Sequence, residues 1–197
     1  MRERFRLPYP DDQTIAILTG CVMAEVQRRG FQYQVTTGME QAIAATAAWL
    51  NSGEKCGMLY CGSCGNGKTT LMRAVRNLIA YCKAKDIDDK TLTLHEVSAK
   101  EVARLNRSDY KEYDKISKLP MLAIDDLGLE PTEVLSYGNI LNPVIDLLTY
   151  RYDEQLFTIV TTNLEPQQIR EKYGDRIADR FNEMFARVVF KDKSFRR

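Results

Sequence analysis

The spacing of apolar positions changes character twice along the chain. Ile15, Leu18, Val22 and Val26 recur every three or four residues, forming one face of an amphipathic helix. Asp11 and Asp12 stand ahead of this helix as its capping signal, and Gly30 marks its end. Phe31, Tyr33 and Val35 alternate with polar residues, which reads as a short exposed strand or an extended linker. Helical spacing returns over 39–50 through Ile43, Ala47 and Leu50, then stops at Asn51-Ser52-Gly53. Beyond that point short apolar runs alternate with helical stretches, the mark of a parallel sheet covered on both faces. Strands are predicted at 57–61, 91–97, 121–124, 157–162 and 187–190. Helices are predicted over 68–83, 99–106, 137–152 and 166–185, the last broken near Gly174. The pattern contains no internal repeat.

Composition narrows the class. At 197 residues the chain has room for about one domain. The longest apolar run, 42–50, falls far short of the ~20 residues that cross a bilayer. Arg2, Arg4 and Arg6 are followed by Pro8, Pro10, Asp11 and Asp12, which is not a secretory layout. A membrane or secreted protein is therefore not expected. Of the five cysteines only Cys61 and Cys64 are closely spaced, and that pair lies inside a glycine loop with a better explanation. Reduced thiols point to the cytoplasm. The net charge of +1 says nothing about nucleic acid, but its distribution is uneven: residues 1–6 carry +2 and residues 176–197 carry +4. Such basic ends are either solvated faces or phosphate-binding patches.

The sharpest chemical signal is Gly62-Ser63-Cys64-Gly65-Asn66-Gly67-Lys68-Thr69, with Thr70 following, which fits G-x-x-x-x-G-K-[ST]. A predicted strand enters this loop and a predicted helix leaves it. Its three glycines let backbone N–H groups curl around phosphate oxygens, and the helix N-terminus adds partial positive charge there. Lys68 would neutralise the β- and γ-phosphates, and the Thr69 hydroxyl would complete a Mg²⁺ shell. The metal-side carboxylate is Asp125, at the end of the apolar run Met121-Leu122-Ala123-Ile124, and Asp126 beside it would orient or deprotonate the attacking water. Glu is usual at the second acid, and the shorter Asp implies slow hydrolysis. The strand at 157–162 ends at Asn163, whose amide would reach the γ-phosphate or the lytic water. Arg176 and Arg180 lie four residues apart on one helix face, where they would be solvated, ion-paired or available to phosphoryl transfer.

Together Gly62–Thr69, residues 122–128 (LAIDDLG), 159–163 (IVTTN) and 175–181 resemble the DnaC/DnaI helicase loaders and IstB transposition ATPases of the AAA+ class. The resemblance covers about residues 35–197. It implies an α/β three-layer P-loop NTPase with five parallel strands in the order 5-1-4-3-2. It makes Asn163 a sensor, Arg180 an arginine finger acting on a neighbouring subunit, and Arg196 a second sensor touching the nucleotide. Only seven residues follow the last predicted strand, so no C-terminal helical lid is expected. Residues 1–35 would form a short helical extension and 36–197 the ATPase domain. The implied activity is Mg²⁺-dependent ATP binding and hydrolysis that assists DNA replication by helicase loading. The implied partners are single-stranded DNA, a replicative helicase or a transposase, and further copies of the chain when ATP is bound. Two alternatives stay open: an IstB-like transposition helper, and a nucleotide switch with negligible turnover, which the shorter Asp126 favours.

Overall fold

Residues that alternate on two sides of one sheet make two separate cores. The computed structural model of the protein describes residues 4–86, 88–131, 134–136 and 139–191. Five strands, β1 (Gly57–Gly62), β2 (His95–Ser98), β3 (Met121–Leu127), β6 (Phe157–Thr162) and β7 (Phe185–Phe190), form a parallel sheet in the order β2-β3-β6-β1-β7. Counted in chain order within the sheet this is 2-3-4-1-5, the arrangement expected from the sequence. Met58, Tyr60, Ala123, Ile159 and Val188 point to one face, where they pack with Leu18, Ile43, Leu71 and Leu78. Leu59, Leu122, Ile124 and Val160 point to the other, against Val102, Tyr113, Val144 and Leu147. Each such large buried side chain contributes roughly 1.5–3 kcal/mol relative to exposure, which is why β1 and the first four residues of β3 read as unbroken apolar runs.

The first face is covered by α1 (Asp11–Arg28), α2 (Thr37–Ser52) and α3 (Lys68–Tyr81). The second is covered by α4 (Ala99–Ser108), α5 (Tyr110–Ser117), α6 (Pro143–Asp153), α7 (Pro166–Tyr173) and α8 (Asp175–Met184). Asp11 and Asp12 occupy the first turn of α1 rather than a capping position, which Pro10 takes; their charges favour the positive end of the helix dipole. Thr36 caps α2 by accepting from the Met39 N–H at 3.2 Å, and Gly53 ends it in a left-handed conformation at φ 62°.

Several boundaries differ from the sequence pattern, each for a local reason. Residues 31–36 are an extended linker, not a strand. The second strand starts at His95 because the preceding stretch folds back locally: Thr91 bridges Lys85, and the Leu92 N–H donates to the Ala84 carbonyl at 2.8 Å. Helix α5 had no prediction; Asp109 both closes α4 and caps α5 by accepting from the Glu112 N–H at 3.1 Å. The helix expected over 137–152 begins only at Pro143, capped by Asn142, and an antiparallel pair, β4 (Val134–Ser136) and β5 (Asn139–Leu141), precedes it. Tyr137 itself lies outside the described residues. At Phe185 the chain is already extended and starts β7, two residues earlier than expected.

Arg151 on α6 is wholly buried and donates to the Ser117, Leu119 and Phe157 carbonyls and the Thr158 hydroxyl at 2.6–3.0 Å. Burial pushes its pKa down to about 9, and those acceptors take the place of water around the guanidinium. Among the described residues no helix is long and apolar enough to cross a membrane.

Candidate nucleotide site

At the carboxyl end of β1 the chain enters a loop built on three glycines with positive φ: Gly62 at 140°, Gly65 at 82° and Gly67 at 101°. A side chain at Gly62 would also strike the Phe190 carbonyl, 2.3 Å from the position of its Cβ. Only glycine fits there, so the loop is wedged against the end of β7. Asn66, fully buried, strengthens that wedge: its amide donates to the Phe190 carbonyl at 3.1 Å, and its Oδ1 accepts from Lys68 at 3.2 Å.

Lys68 opens α3 with its ammonium folded into the loop, donating to the Gly62 carbonyl at 2.8 Å and the Ser63 carbonyl at 2.7 Å. All three donors of the ammonium are thus used. Desolvation holds its pKa below the usual lysine value, while nearby Cys64, Asp126 and Asp125 pull it the other way. Thr69 donates to Asp125 Oδ1 at 3.0 Å. Thr70 accepts from Arg29 at 3.4 Å, a contact between the P-loop helix and the end of α1. Ser63 and Cys64 sit exposed at the loop's rim.

The two acids occupy a bulge. Ile124 pairs with Val160 and Leu127 with Thr162, so two residues of β3, Asp125 and Asp126, stand opposite one residue of β6. Asp126 takes the left-handed conformation, φ 59°, which Asp tolerates better than most residues. The bulge gives the two successive carboxylates different settings. Asp125 accepts from Thr69, and Asp126 lies near enough to Lys68 to act on its ammonium.

Thr161 and Thr162 hold this geometry, and neither stands out as a site residue in the sequence. The Thr161 hydroxyl donates to Asp125 Oδ1 at 2.5 Å and accepts from the Asp126 N–H at 2.9 Å. Thr162 donates to the Leu127 carbonyl at 2.6 Å and accepts from the Leu164 N–H at 3.0 Å. The tandem hydroxyls just before Asn163 are the available signal, because polar side chains on a buried strand must find partners. Asn163 itself is exposed at the strand end, next to this bulge.

Lys68, Thr69, Asp125 and Asp126 therefore converge. Arg180 has another setting: its guanidinium lies over the Tyr152 ring, 5.8 Å from the centroid. Arg176 is exposed. Arg196 lies outside the described residues.

A Thr hydroxyl and one carboxylate, within hydrogen-bond distance at the mouth of the glycine loop, suit Mg²⁺, which takes few protein oxygens and completes its shell with water and phosphate. Among the described residues there is no cluster of three His, Cys, Asp or Glu that would make an all-protein cage.

The sheet order, with the glycine loop at the end of β1 between β6 and β7, matches the AAA+ P-loop NTPase fold of the solved neighbours. The chain resembles the DnaC helicase loader with a TM-score of 0.62 and 22% identity, over 81% of this chain and 93% of that one. It resembles DnaI with a TM-score of 0.64 and 23% identity, over 98% of this chain and 96% of that one. With the replication initiator DnaA bound to AMPPCP and single-stranded DNA the TM-score is 0.58 at 19% identity, over 82% of this chain and 49% of DnaA. No protein-family model matches the sequence, and no curated protein matches it. At these identities the likeness establishes the fold.

Proposed function

We propose that the protein is a Mg²⁺-dependent AAA+ ATPase that assists DNA replication in the manner of a helicase loader, assembling with further copies of itself on DNA. The observation that carries this reading is the Thr69–Asp125 contact at the mouth of a glycine loop already lined by the Lys68 ammonium. Lys68 exchanges its carbonyl acceptors for β- and γ-phosphate oxygens, and Gly62, Ser63, Cys64, Gly65, Asn66, Gly67, Thr69 and Thr70 present the loop to the phosphates. Thr69 and Asp125 would hold Mg²⁺, which would supply charge to neutralise the phosphates. Asp126 accepts the proton of a water aimed by Asn163. The water oxygen bonds to the γ-phosphorus, the bond to the β–γ bridging oxygen breaks, and ADP and phosphate leave. Arg180 from a neighbouring copy stabilises the charge that develops.

Residues 1–35 act as a helical extension on the ATPase domain 36–197; α1 packs on α3, and Arg29 reaches Thr70. The likeness to the DnaC helicase loader, which extends over nearly the whole of that chain, favours a replicative helicase as the protein partner, and the likeness to DnaA bound to single-stranded DNA favours that nucleic acid; a cytoplasmic setting goes with this reading. The test is equilibrium binding of a fluorescent ATP analogue, phosphate release with and without a chelator, and assembly size with and without single-stranded DNA. Chelator-sensitive turnover and ATP-dependent growth on DNA are expected. Tight binding without turnover would make the protein a nucleotide switch; no binding would overturn the reading. Co-purification with a transposase instead of a helicase would move it to transposition.

A further inference from the structure

We propose that Glu130 is a positioning residue, a buried latch that fastens the acid-bearing end of β3 to helix α7 so that Asp126, Asn163 and the arginine helix α8 move as one body. This rests on the ATPase reading above. The Glu130 side chain is fully buried, although it lies in a surface turn beside Leu129, which is half exposed. A buried carboxylate is costly unless its oxygens are used, and here both are. Oε2 accepts from the Gly128 N–H at 2.7 Å, and Oε1 accepts from the Tyr173 hydroxyl, with the Lys172 ammonium 3.7 Å away. Lys172 also donates to the Gly128 carbonyl at 2.5 Å and the Glu130 carbonyl at 3.2 Å. The peptide groups on either side of Gly128 are thus gripped at its N–H and at its carbonyl by one cluster.

What the cluster grips matters. Residues 126–129 form a turn closed by the Leu129 N–H on the Asp126 carbonyl at 3.2 Å, so fixing Gly128 fixes the backbone of Asp126. Gly128 has φ 105°, and a Cβ there would lie 2.7 Å from the side chain of Leu164, the residue after Asn163. The acid turn and the end of β6 are therefore packed together where glycine leaves room. Lys172 and Tyr173 are the last two residues of α7, and Gly174 alone separates them from α8. Across that joint Arg170 binds Asp175 at 2.5 Å and Asp179 at 3.1 Å. A continuous series of contacts runs from Asp126 through Glu130 and α7 to the helix that carries Arg180. With its oxygens committed and buried, Glu130 is not placed to receive a proton from water. Its effect passes through Asp126 and α8.

The test uses the full chain with Glu130→Ala, Glu130→Gln and Tyr173→Phe. Affinity for a fluorescent ATP analogue, phosphate release, melting temperature and amide hydrogen exchange are measured on each. Glu130→Ala should keep ATP affinity while turnover falls about tenfold or more, the scale of lost second-layer support. Glu130→Gln, which still accepts from Gly128, should recover part of that loss. Exchange should quicken together over 126–130 and 163–175 while α3 stays protected. Tyr173→Phe removes one hydroxyl and serves if the alanine variant does not fold; it should show the same coupled exchange in milder form. Parental turnover in folded Glu130→Ala, or faster exchange in only one of the two segments, overturns the latch. A parent protein without turnover removes the ATPase reading instead, and the exchange data then decide the latch by themselves.

Discussion

Thr161 reaches from β6 to Asp125 of β3 and gives it a 2.5 Å hydrogen bond, while the same oxygen accepts the backbone N–H of Asp126 at 2.9 Å. One hydroxyl therefore satisfies the Asp126 N–H at the bulge and holds the Asp125 carboxylate, the proposed metal ligand. Thr161→Val should leave the Asp126 N–H without its acceptor, a loss of about 1–3 kcal/mol of stability in urea unfolding. Metal-dependent ATP affinity should fall with it. Thr161→Ser should restore both, since it keeps the hydroxyl and drops only a methyl group.

The acids should separate by phenotype. Asp126→Asn is expected to retain Mg²⁺-dependent ATP binding and lose turnover, because the amide no longer accepts a proton. Asp125→Asn is expected to weaken binding in the presence of Mg²⁺ as well. Calorimetric titration with and without Mg²⁺, paired with phosphate release, checks this; identical behaviour would remove the division of roles.

Lys68→Ala should abolish nucleotide binding. In the parent protein the alkaline limb of ATP affinity is informative. Burial lowers the Lys68 pKa in the ligand-free loop, and phosphate oxygens raise it again on binding. Between those two values binding takes up a proton, so affinity is full below the window and declines as pH rises through it, by up to about tenfold per pH unit. The decline should begin below the ordinary lysine value of roughly 10.4. Titration in buffers of different ionisation enthalpy should register the proton uptake. Affinity that stays flat through that range would place the Lys68 ammonium away from the phosphates.

Arg180→Ala should bind ATP normally and hydrolyse it far more slowly, since an arginine supplied from a neighbour is worth roughly 10³–10⁵ in rate in well-studied phosphoryl transfer. Mixing it with Lys68→Ala protein should recover some activity, because one variant keeps the nucleotide site and the other the finger. In the single chain the Arg180 guanidinium lies over the Tyr152 ring, and action on a neighbour's nucleotide would require it to leave that ring. A parental rate per subunit that is independent of concentration down to the monomer, with no rescue in the mixture, would make Arg180 an ordinary surface residue.

The sheet and P-loop were legible because both depend on short-range pattern: apolar runs, glycines at fixed offsets, and acids at a strand end. The same pattern gave the break at Gly174. Hidden from it were contacts between residues far apart in sequence. Thr161 lies 36 positions from Asp125, and Glu130 lies 43 from Tyr173, so neither pairing has a local signature. The antiparallel pair before α6 is not legible although Asn142-Pro143 is a helix-start signal, because the apolar spacing on both sides of it fits a helix equally well. The left-handed Asp126 follows from the bulge register, which only the facing strand reveals.

The place of β1 in the sheet sets a schedule for the newborn chain. Its hydrogen-bond neighbours are β6 and β7, so Gly57 pairs with Thr158 on one side and Phe185 on the other. About a hundred residues must leave the ribosome after β1 before it gains its first flank, and Phe190 must emerge before it gains the second. Until then an apolar strand with two open edges waits without a partner, and the long loop it must close makes that step slow. The phosphate loop, wedged against Phe190 through Gly62 and Asn66, is among the last parts to take shape. Nascent chains stalled before Phe157 should therefore be protease-sensitive and depend on chaperones, and nucleotide should begin to protect them only once β7 is free of the exit tunnel.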